Sequence, residues 1–265
     1  MEFVVCIKQV PDSNKIEMDL ETGSLIREST GAKTNPYDLS AIEACLQVRD
    51  KVGGVINAIS MGPRQAKFAL RNALALGVDS SWLISDNSFA GSDVFATSYT
   101  LAQSISIVSN PDIIFCGKQS TDGDTSQVGP ELAELLQIPH GAYVTEILKV
   151  TNEYIVVTCN MGNRLETIKL FLPCLLSVEK DSFVPRMSSY RDKIEARKKE
   201  IKTITLNDLE DKCSRDYGYR GSPTKVRNIY VPEIIRNSKI IDEPTDAAVD
   251  VILTSLENWE VLSLD

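Results

Sequence analysis

The chain has 265 residues, of which 43% are hydrophobic, and its formal net charge is −9. This length and composition suit one large globular domain with extensions. An acidic chain has little attraction for a phosphate backbone, which argues against nucleic acid as a partner. No apolar run reaches the roughly 18 residues that a membrane-spanning helix requires, so we expect no membrane span.

The cysteine and histidine content excludes several kinds of site. The six cysteines are far apart without a CxxC pair, and several lie in apolar runs, where cysteine acts as a small buried hydrophobic residue. Disulfides and a cysteine metal site are therefore not expected. We expect the protein in a reducing compartment, the cytoplasm. Any triad, zinc site or histidine base would depend on the single histidine, His140. The first residues form a short apolar run without a basic leader, which predicts a strand and not a signal peptide.

Strand-like and helix-like segments alternate through the first half of the chain. The predicted strands are 3–7, 55–59, 81–85 and 112–116, and the predicted helices are 35–50, 64–76, 92–108 and 131–136. Asp38 is the predicted N-cap of the first helix. Residues 16–27 contain two alternating runs around a turn, typical of a β-hairpin. The alternation predicts a parallel sheet with helices on both faces.

The pattern changes after residue 140. The segments 143–150, 154–160, 165–171 and 175–178 are strand-like, with turns between them, and predict added, partly antiparallel strands. From residue 181 onward the chain is polar and marked by prolines, with one short apolar helix predicted at 247–256. We therefore predict a nucleotide-binding α/β domain over residues 1–182 and an extended arm over residues 183–265 that packs on another chain.

The polar loop after the fourth strand is the most informative segment. It covers residues 117–130 and is rich in Gly, Ser and Thr. Ligands bind beyond the carboxyl ends of strands in an open parallel sheet, and backbone N–H groups at a helix start suit a pyrophosphate. Asp122 and Asp124 do not suit a phosphate, so we assign them to side-chain hydrogen bonds with the loop backbone. The alternative is a polar strand-to-helix turn that binds no ligand.

Three more segments follow strands of the same predicted sheet. They are Cys6 with Lys8, residues 35–38 and residues 60–63. Carboxyl ends of parallel strands meet at one edge, so these segments and the polar loop can line one crevice, although each segment by itself favours a helix cap or turn over a ligand site. The chain has no GxGxxG fingerprint and no GxxxxGK[ST] loop, which argues against the usual dinucleotide and triphosphatase sites. A hydrolase is disfavoured because no nucleophile–base pair accompanies the sheet.

Ordered motifs along residues 1–210 resemble the β subunit of electron transfer flavoproteins. In chain order they are residues 5–11, 35–38, 60–63, 70–79 and 117–130, then Glu166, Ile168, Pro173 and residues 175–177, and finally Pro185 with Arg186 before a basic helix. The resemblance implies a Rossmann-like fold of the adenine-nucleotide α-hydrolase-like type. Such a fold has a parallel sheet with helices on both faces, added antiparallel strands and a C-terminal arm that packs on an α subunit.

The resemblance also implies a cofactor site at the predicted crevice. With Lys8 from the strand-end pattern, the candidate cofactor-binding residues are Cys6, Lys8, Asn35, Pro36, Tyr37, Asp38, Met61, Asp122, Gly123, Asp124, Thr125, Ser126, Gln127, Val128, Gly129, Pro130, Glu131 and Ala133. Many members hold AMP there, without a redox role, and keep their FAD mainly in the α subunit. Electron-bifurcating members hold a second FAD. Residues 122–125 and 127–130 resemble the bifurcating members, which favours FAD over AMP.

The implied function is electron transfer together with an α subunit. In the bifurcating form, the FAD accepts a hydride from NADH. One electron goes to a low-potential acceptor such as ferredoxin, and the other goes through the α-subunit flavin to an acyl-CoA or similar flavin dehydrogenase. The alternative is a non-redox module in which AMP stabilises the heterodimer. No residue of this chain is assigned a catalytic or metal-binding role, because the flavin carries the redox chemistry.

Two positions depart from the family pattern. Cys159 stands where the signature usually has a basic residue, so the hairpin there is expected to differ locally. The segment that docks on partner dehydrogenases matches residues 187–196, and its usual leucine is replaced by Tyr190. The charged run 191–202 is either a solvated helix face or part of that docking segment.

Overall fold

The computed structural model describes residues 1–12, 31–227, 240–242 and 244–259. The chain divides into two units, Met1–Arg227 and Asn228–Asp265. The first unit therefore extends past the predicted domain boundary at residue 182. The predicted hairpin at residues 16–27 lies outside the described residues.

The strands of the first unit form one large sheet and one small pair. In chain order they are β1 (Glu2–Cys6), β2 (Gln9–Pro11), β3 (Ala32–Thr34), β4 (Val55–Met61), β5 (Ser80–Ile84), β6 (Ile113–Gly117), β7 (His140–Val150), β8 (Tyr154–Asn160), β9 (Leu165–Phe171), β10 (Cys174–Val178) and β11 (Ile201–Ile204). The nine-stranded sheet has the order β11-β5-β4-β1-β6-β10-β7-β8-β9, and β2 pairs with β3. Strands from β11 to β7 are parallel, and β8 and β9 add an antiparallel extension. The predicted α/β, Rossmann-like class is confirmed.

The direction of the chain through the sheet reverses at β1. From β1 the chain runs outward through β4 and β5, and it then returns to β6 on the other side of β1. At such a switch point, the connections on either side leave toward opposite faces, and a crevice opens beyond the carboxyl ends of the two strands. The register pairs Cys6 with Cys116, so β1 and β6 reach this edge at nearly the same level.

Helices cover both faces of the sheet, as predicted. They are α1 (Pro36–Val52), α2 (Lys67–Leu76), α3 (Val94–Val108), α4 (Val128–Leu135), α5 (Tyr190–Lys198) and α6 (Gly218–Gly221), all in the first unit. The described part of the second unit has its own helix, α7 (Thr245–Asn258). Alternate residues of a strand point to opposite faces. Phe3 and Val5 of β1 accordingly join the core under α1 and α2, while Val4 joins the core under α3 and α4.

Helix α1 begins differently from the prediction. Its N-cap is Asn35 and not Asp38, and the Asn35 side chain makes no capping hydrogen bond. Pro36 occupies the first turn, where a missing N–H costs nothing. The predicted helix at 64–76 is a 3-10 turn, Arg64–Ala66, followed by α2. Helix α4 begins at Val128, earlier than the predicted start at Glu131.

Strand β10 is a central strand and not one of the antiparallel additions. It pairs in parallel with β6 on one side and with β7 on the other. All five of its residues are buried. A strand buried on both faces is a continuous apolar run, and such a run does not specify its neighbours in the sheet. The prediction of added, partly antiparallel strands is therefore confirmed for β7–β8–β9. It is wrong only in counting β10 among the additions, because β10 is a parallel strand inside the sheet.

The segment 183–227 is part of the sheet unit. Strand β11 extends the sheet by pairing in parallel with β5. Ala196, Leu209 and Tyr217 are buried in the two cores. The prediction that the chain leaves the domain at residue 183 is wrong for this segment, because its scattered apolar residues are buried against elements far away in sequence. Packing of the C-terminal region on another chain stays a prediction.

The described part of the second unit is mainly helix α7. It confirms the predicted apolar helix at 247–256 with slightly wider bounds. Val249 and Ile252 are exposed by 47% and 49%. Within the described residues, no helix combines the length and the hydropathy needed to cross a membrane.

Candidate functional site

The carboxyl ends of β1 and β6 are bridged by side chains. We call the space beyond them the carboxyl-edge crevice, and we call residues 118–127 the β6 loop. The Nζ atom of Lys8, which follows β1, lies 2.8 Å from Oδ1 of Asp122 and 3.3 Å from Oγ of Ser120. The predicted convergence of Lys8 and the polar loop is thus observed.

A buried pair at the start of α1 completes this junction. Asp38 accepts hydrogen bonds from the backbone N–H of Lys8 at 2.6 Å and from Nδ2 of Asn35 at 2.9 Å. The same amide of Asn35 donates to the carbonyl of Gln119 at 2.8 Å, and its Oδ1 accepts from the N–H of Thr121 at 3.3 Å. Asn35 and Asp38 are only 1% and 5% exposed. The two side chains therefore tie β1, α1 and the β6 loop together.

Burial changes the proton affinity of groups at this edge. It raises the pKa of Asp38 to about 7, against the opposing effect of hydrogen bonds from Asn35, Lys8 and Gly117 and of the positive charge of Lys8. Burial also raises the pKa of the Cys6 thiol, and the charge of Asp38 adds to that effect. Cys6 is accordingly a neutral, buried thiol and not a nucleophile.

The β6 loop is held in shape by its own side chains. Nε2 of Gln119 donates to Oδ1 of Asp124 at 2.8 Å, and Oγ of Ser126 donates to Oε1 of Gln119 at 2.7 Å. Asp124 and Ser126 have positive φ values of 50° and 56°, a region that non-glycine residues occupy at some cost. Asp124 is thus bound by a side chain of the loop, whereas Asp122 is bound by Lys8 and by its own backbone N–H, which is the kind of bond predicted for the two aspartates.

Helix α4 starts at the mouth of the crevice. Its N-cap, Gln127, makes no side-chain capping bond. In its first turn the N–H groups of Val128 and Gly129 lack partners within the helix and are available to an anion, whereas Pro130 has no N–H and the N–H of Glu131 donates to Gln127. Gly129 allows this helix to approach the sheet closely, because a Cβ there would lie 2.9 Å from Sγ of Cys116 and 3.3 Å from Cβ of Ser177. The packing of α4 against the sheet is thus sufficient to require glycine at position 129.

The remaining candidate residues lie at the same edge in different environments. Pro36, Tyr37, Met61, Ser126, Val128, Pro130 and Glu131 are half-buried, whereas Lys8, Asp122, Gly123, Asp124, Thr125 and Gln127 are exposed. Cys6 and Ala133 are buried in the core under α3 and α4. Burial raises the pKa of the half-buried Glu131 carboxyl. Contact of any of these residues with a cofactor stays a prediction.

Four residues of the junction were not among the candidates, namely Gly117, Gln119, Ser120 and Thr121, whose N–H donates to Asn35. Gln119 and Ser120 contact Asn35, Asp124 and Lys8 as described. At Gly117 a Cβ would lie 2.7 Å from Cβ of Tyr37 and would collide with Asp38, so only glycine lets α1 begin here. A glycine that ends an apolar strand before a polar loop is the one local signal that could have identified this close approach.

A second feature anchors the segment that follows β10. Arg186 binds Glu43 of α1 through Nε at 2.9 Å and Nη2 at 3.1 Å, and its Nη2 also lies 2.9 Å from Asp50. Burial alone would raise the pKa of Glu43, but the hydrogen bonds from Arg186 outweigh it and lower the pKa. Met187 and Tyr190, which follow this anchor, are 95% and 81% exposed.

Comparison with known proteins shows the family of the chain. The protein family described as "Electron transfer flavoprotein domain" matches residues 22–209 of this chain. The chain is 40% identical over 264 residues to the electron transfer flavoprotein subunit beta of Thermoanaerobacterium thermosaccharolyticum, an alignment that covers 99% of this chain and 100% of the relative. The chain belongs to the electron transfer flavoprotein family.

Other relatives place this electron transfer flavoprotein chain among the β subunits and their counterparts. It is 40% identical over 244 residues to Protein FixA of Sinorhizobium fredii, covering 88% of this chain and 84% of the relative. It is 38% identical over 236 residues to the Caffeyl-CoA reductase-Etf complex subunit CarD of Acetobacterium woodii, covering 88% of each. The resemblance inferred from the motifs is confirmed, and a β subunit acts in electron transfer with an α-subunit partner.

Proposed function

We propose that this β subunit holds FAD in the carboxyl-edge crevice and, with its α subunit, passes electrons from NADH to a flavin dehydrogenase and to ferredoxin. The observation that carries the proposal is the meeting of Lys8, the β6 loop and the start of α4 at the switch point of the sheet. A cation and a helix N-terminus at one edge suit the pyrophosphate of a dinucleotide.

The crevice residues fit such a group. The Lys8 side chain is exposed, and its positive charge offsets the charge of Asp122, which would otherwise repel a phosphate. At Gly123 a Cβ would have Ser120 Oγ at 3.4 Å as its nearest neighbour, so the loop backbone is open on that side. Thr121 and Thr125 are exposed and offer hydroxyl groups. We assign to these residues the binding and orientation of the pyrophosphate.

FAD, when bound, supplies hydride acceptance from NADH and electron transfer to separate acceptors. The protein residues bind it, orient it and set its electrostatic surroundings. Asp38 and Cys6 are buried beneath the carboxyl-edge crevice, and burial raises the pKa of both groups. A site that only orients a cofactor needs no acid–base pair of its own, which agrees with the residues found here.

The partners follow from two surfaces. Arg186 fixes the start of the segment that exposes Met187 and Tyr190, and we propose that this segment docks on an acyl-CoA or similar flavin dehydrogenase. One relative is named as a subunit of a caffeyl-CoA reductase complex, which supports a reductase of that class as the partner. We propose that the second unit binds the α subunit. The free thiols of all six cysteines support a cytoplasmic location.

The decisive experiment is the cofactor content of the purified heterodimer. After denaturation, two FAD per heterodimer support the proposal, whereas one FAD with one AMP supports the structural-nucleotide alternative. The heterodimer is then mixed with NADH without oxygen. Rapid loss of flavin absorbance is expected, and it should disappear in a variant that cannot hold flavin in this subunit. Two flavins that NADH does not reduce would contradict the electron-donor assignment.

A further inference from the structure

Asn35 and Asp38 are residue types that usually cap the helix they begin, yet here both serve other segments. Asparagine at an N-cap normally accepts a hydrogen bond from the second or third N–H of its own helix. Asn35 is the N-cap of α1 and makes no such bond. Its amide instead reaches Gln119 and Thr121 in the β6 loop. The helix thus forgoes a local cap in favour of a contact 84 to 86 positions away.

Asp38 is used in the same way on the other side of the junction. One carboxylate oxygen accepts the backbone N–H of Lys8 at 2.6 Å, and the other accepts Nδ2 of Asn35 at 2.9 Å. The backbone of Asn35 also donates to the carbonyl of Lys8 at 2.9 Å. Lys8 is therefore fixed through its main chain, which leaves its ammonium group free to reach Asp122.

The neighbouring backbone is adapted to this arrangement. A Cβ at Gly117 would collide with the Asp38 carboxylate, so β6 can end beside Asp38 only with glycine at this position. The side chains of the buried pair do not extend into open solvent, since Asn35 is 1% and Asp38 is 5% exposed. Both side chains act on the crevice through other residues and do not line its open surface.

We propose that Asn35 and Asp38 are positioning residues that hold the β6 loop against the end of β1, so that the crevice is formed before a nucleotide binds. The assignment rests on the proposed function, in which the nucleotide phosphates bind at this loop. Ordering a loop on binding weakens affinity by the conformational entropy that is lost. A loop already fixed by buried hydrogen bonds avoids that loss, so removing the pair should weaken nucleotide retention by roughly 10-fold to 100-fold.

The test uses the full heterodimer with Asn35→Ala and Asp38→Asn. The first variant removes both contacts to the β6 loop, and the second keeps the size of the side chain but removes its charge. Glu43→Gln is the matched control, because Glu43 is a 5% exposed carboxylate on the same helix that binds Arg186 and not the crevice. Two readouts are taken: amide hydrogen exchange of residues 118–127, and the rate at which this subunit releases FAD.

The proposal expects faster exchange confined to the β6 loop, above all at the Thr121 N–H, and faster FAD release in the two variants but not in the control. Unchanged exchange of the loop in both variants would overturn it. Equal loss of FAD in Glu43→Gln would also overturn it, because general destabilisation would then explain the effect. A wild-type heterodimer without a nucleotide in this subunit would refute the proposed function, and hydrogen exchange would then decide the positioning role alone.

Discussion

The ammonium group of Lys8 lies 2.8 Å from a carboxylate oxygen of Asp122, across the gap between β1 and the β6 loop. Burial alone would raise the pKa of Asp122, but the hydrogen bond and charge of Lys8 outweigh it and lower the pKa. Asp122 therefore stays ionised, and the positive charge of Lys8 balances its negative charge in the loop that we assign to phosphate binding.

Replacing Lys8 with methionine should weaken FAD binding by about 10-fold, because the variant removes a cation from the crevice and leaves Asp122 unpaired near the phosphates. The measurement is a titration of the apo heterodimer with FAD at two salt concentrations. The loss should shrink at high salt, since screening weakens both the attraction and the repulsion.

The matched control for this variant is Lys33→Met. Lys33 also pairs with an aspartate, Asp12, at 3.4 Å, and both side chains are exposed at the β2–β3 pair. Such a pair contributes little to stability, so FAD affinity should be unchanged within about 2-fold. An equal loss in the two variants would show that net charge, and not the Lys8 site, controls binding.

Two glycines of the predicted site should respond differently to substitution. Gly123→Leu should abolish FAD retention and leave the chain folded, because the side chain would stand on the open side of the β6 loop. Gly129→Ala should instead lower the free energy of unfolding by roughly 1–3 kcal/mol, since its Cβ would press on Cys116 and Ser177. Thermal unfolding and flavin content, measured for both, separate the two effects. Full flavin content in Gly123→Leu would remove the loop from the site.

Asp38 should make the stability of the chain depend on pH near neutrality. Its pKa is raised from 3.8 in a model peptide to about 7 by burial. A group whose pKa is raised by folding stabilises the fold at pH values below its pKa in the unfolded chain. That contribution is lost as the pH rises toward about 7. The stability of wild type relative to Asp38→Asn should therefore fall by on the order of a few kcal/mol between about pH 4 and pH 7.

Glu43 provides a contrast of opposite sign. Its pKa is lowered, so the stability that it contributes over Glu43→Gln is present above the unfolded value and is lost as the pH falls. Denaturant unfolding across the pH range measures both differences. Parallel pH profiles for the two pairs would contradict the assignment of a raised pKa to Asp38.

The ion pair between Arg186 and Glu43 should couple the docking segment to α1. Arg186→Met should cost about 2 kcal/mol, because it leaves a buried carboxylate without its partner. Adding Glu43→Gln to that variant should recover part of the loss. A double-mutant cycle in denaturant gives the coupling energy, and strict additivity would mean that the pair does not fix the segment.

Truncation after Arg227 should leave a folded sheet unit that no longer binds the α subunit. The cut falls at the boundary between the two units and keeps β11 in the sheet. A cut after Val178 is a poor test, because it removes β11 and the buried residues Ala196 and Tyr217. Co-purification of the truncated chain with α at full yield would disprove the assignment of the second unit to the heterodimer.

The amino-acid sequence by itself determined the class of the fold and the edge at which the site forms. Strand and helix patterns are local, since apolar runs and helical spacing are set by a few adjacent residues. They located α1 to α4 and α7, the strands β1 and β4 to β10, and the loop after β6. The parallel alternation then placed Lys8 and the β6 loop at one edge, because parallel strands share the direction of their carboxyl ends.

Only the tertiary structure decided which distant groups meet there. Lys8 and Asp122 pair across 114 positions, and β10 and β11 find their places beside β6 and β5. The local capping rule failed at Asn35 and Asp38 for the same reason. A buried polar side chain takes the partner that the folded chain brings to it, and here the partners are backbone groups of β1 and the β6 loop.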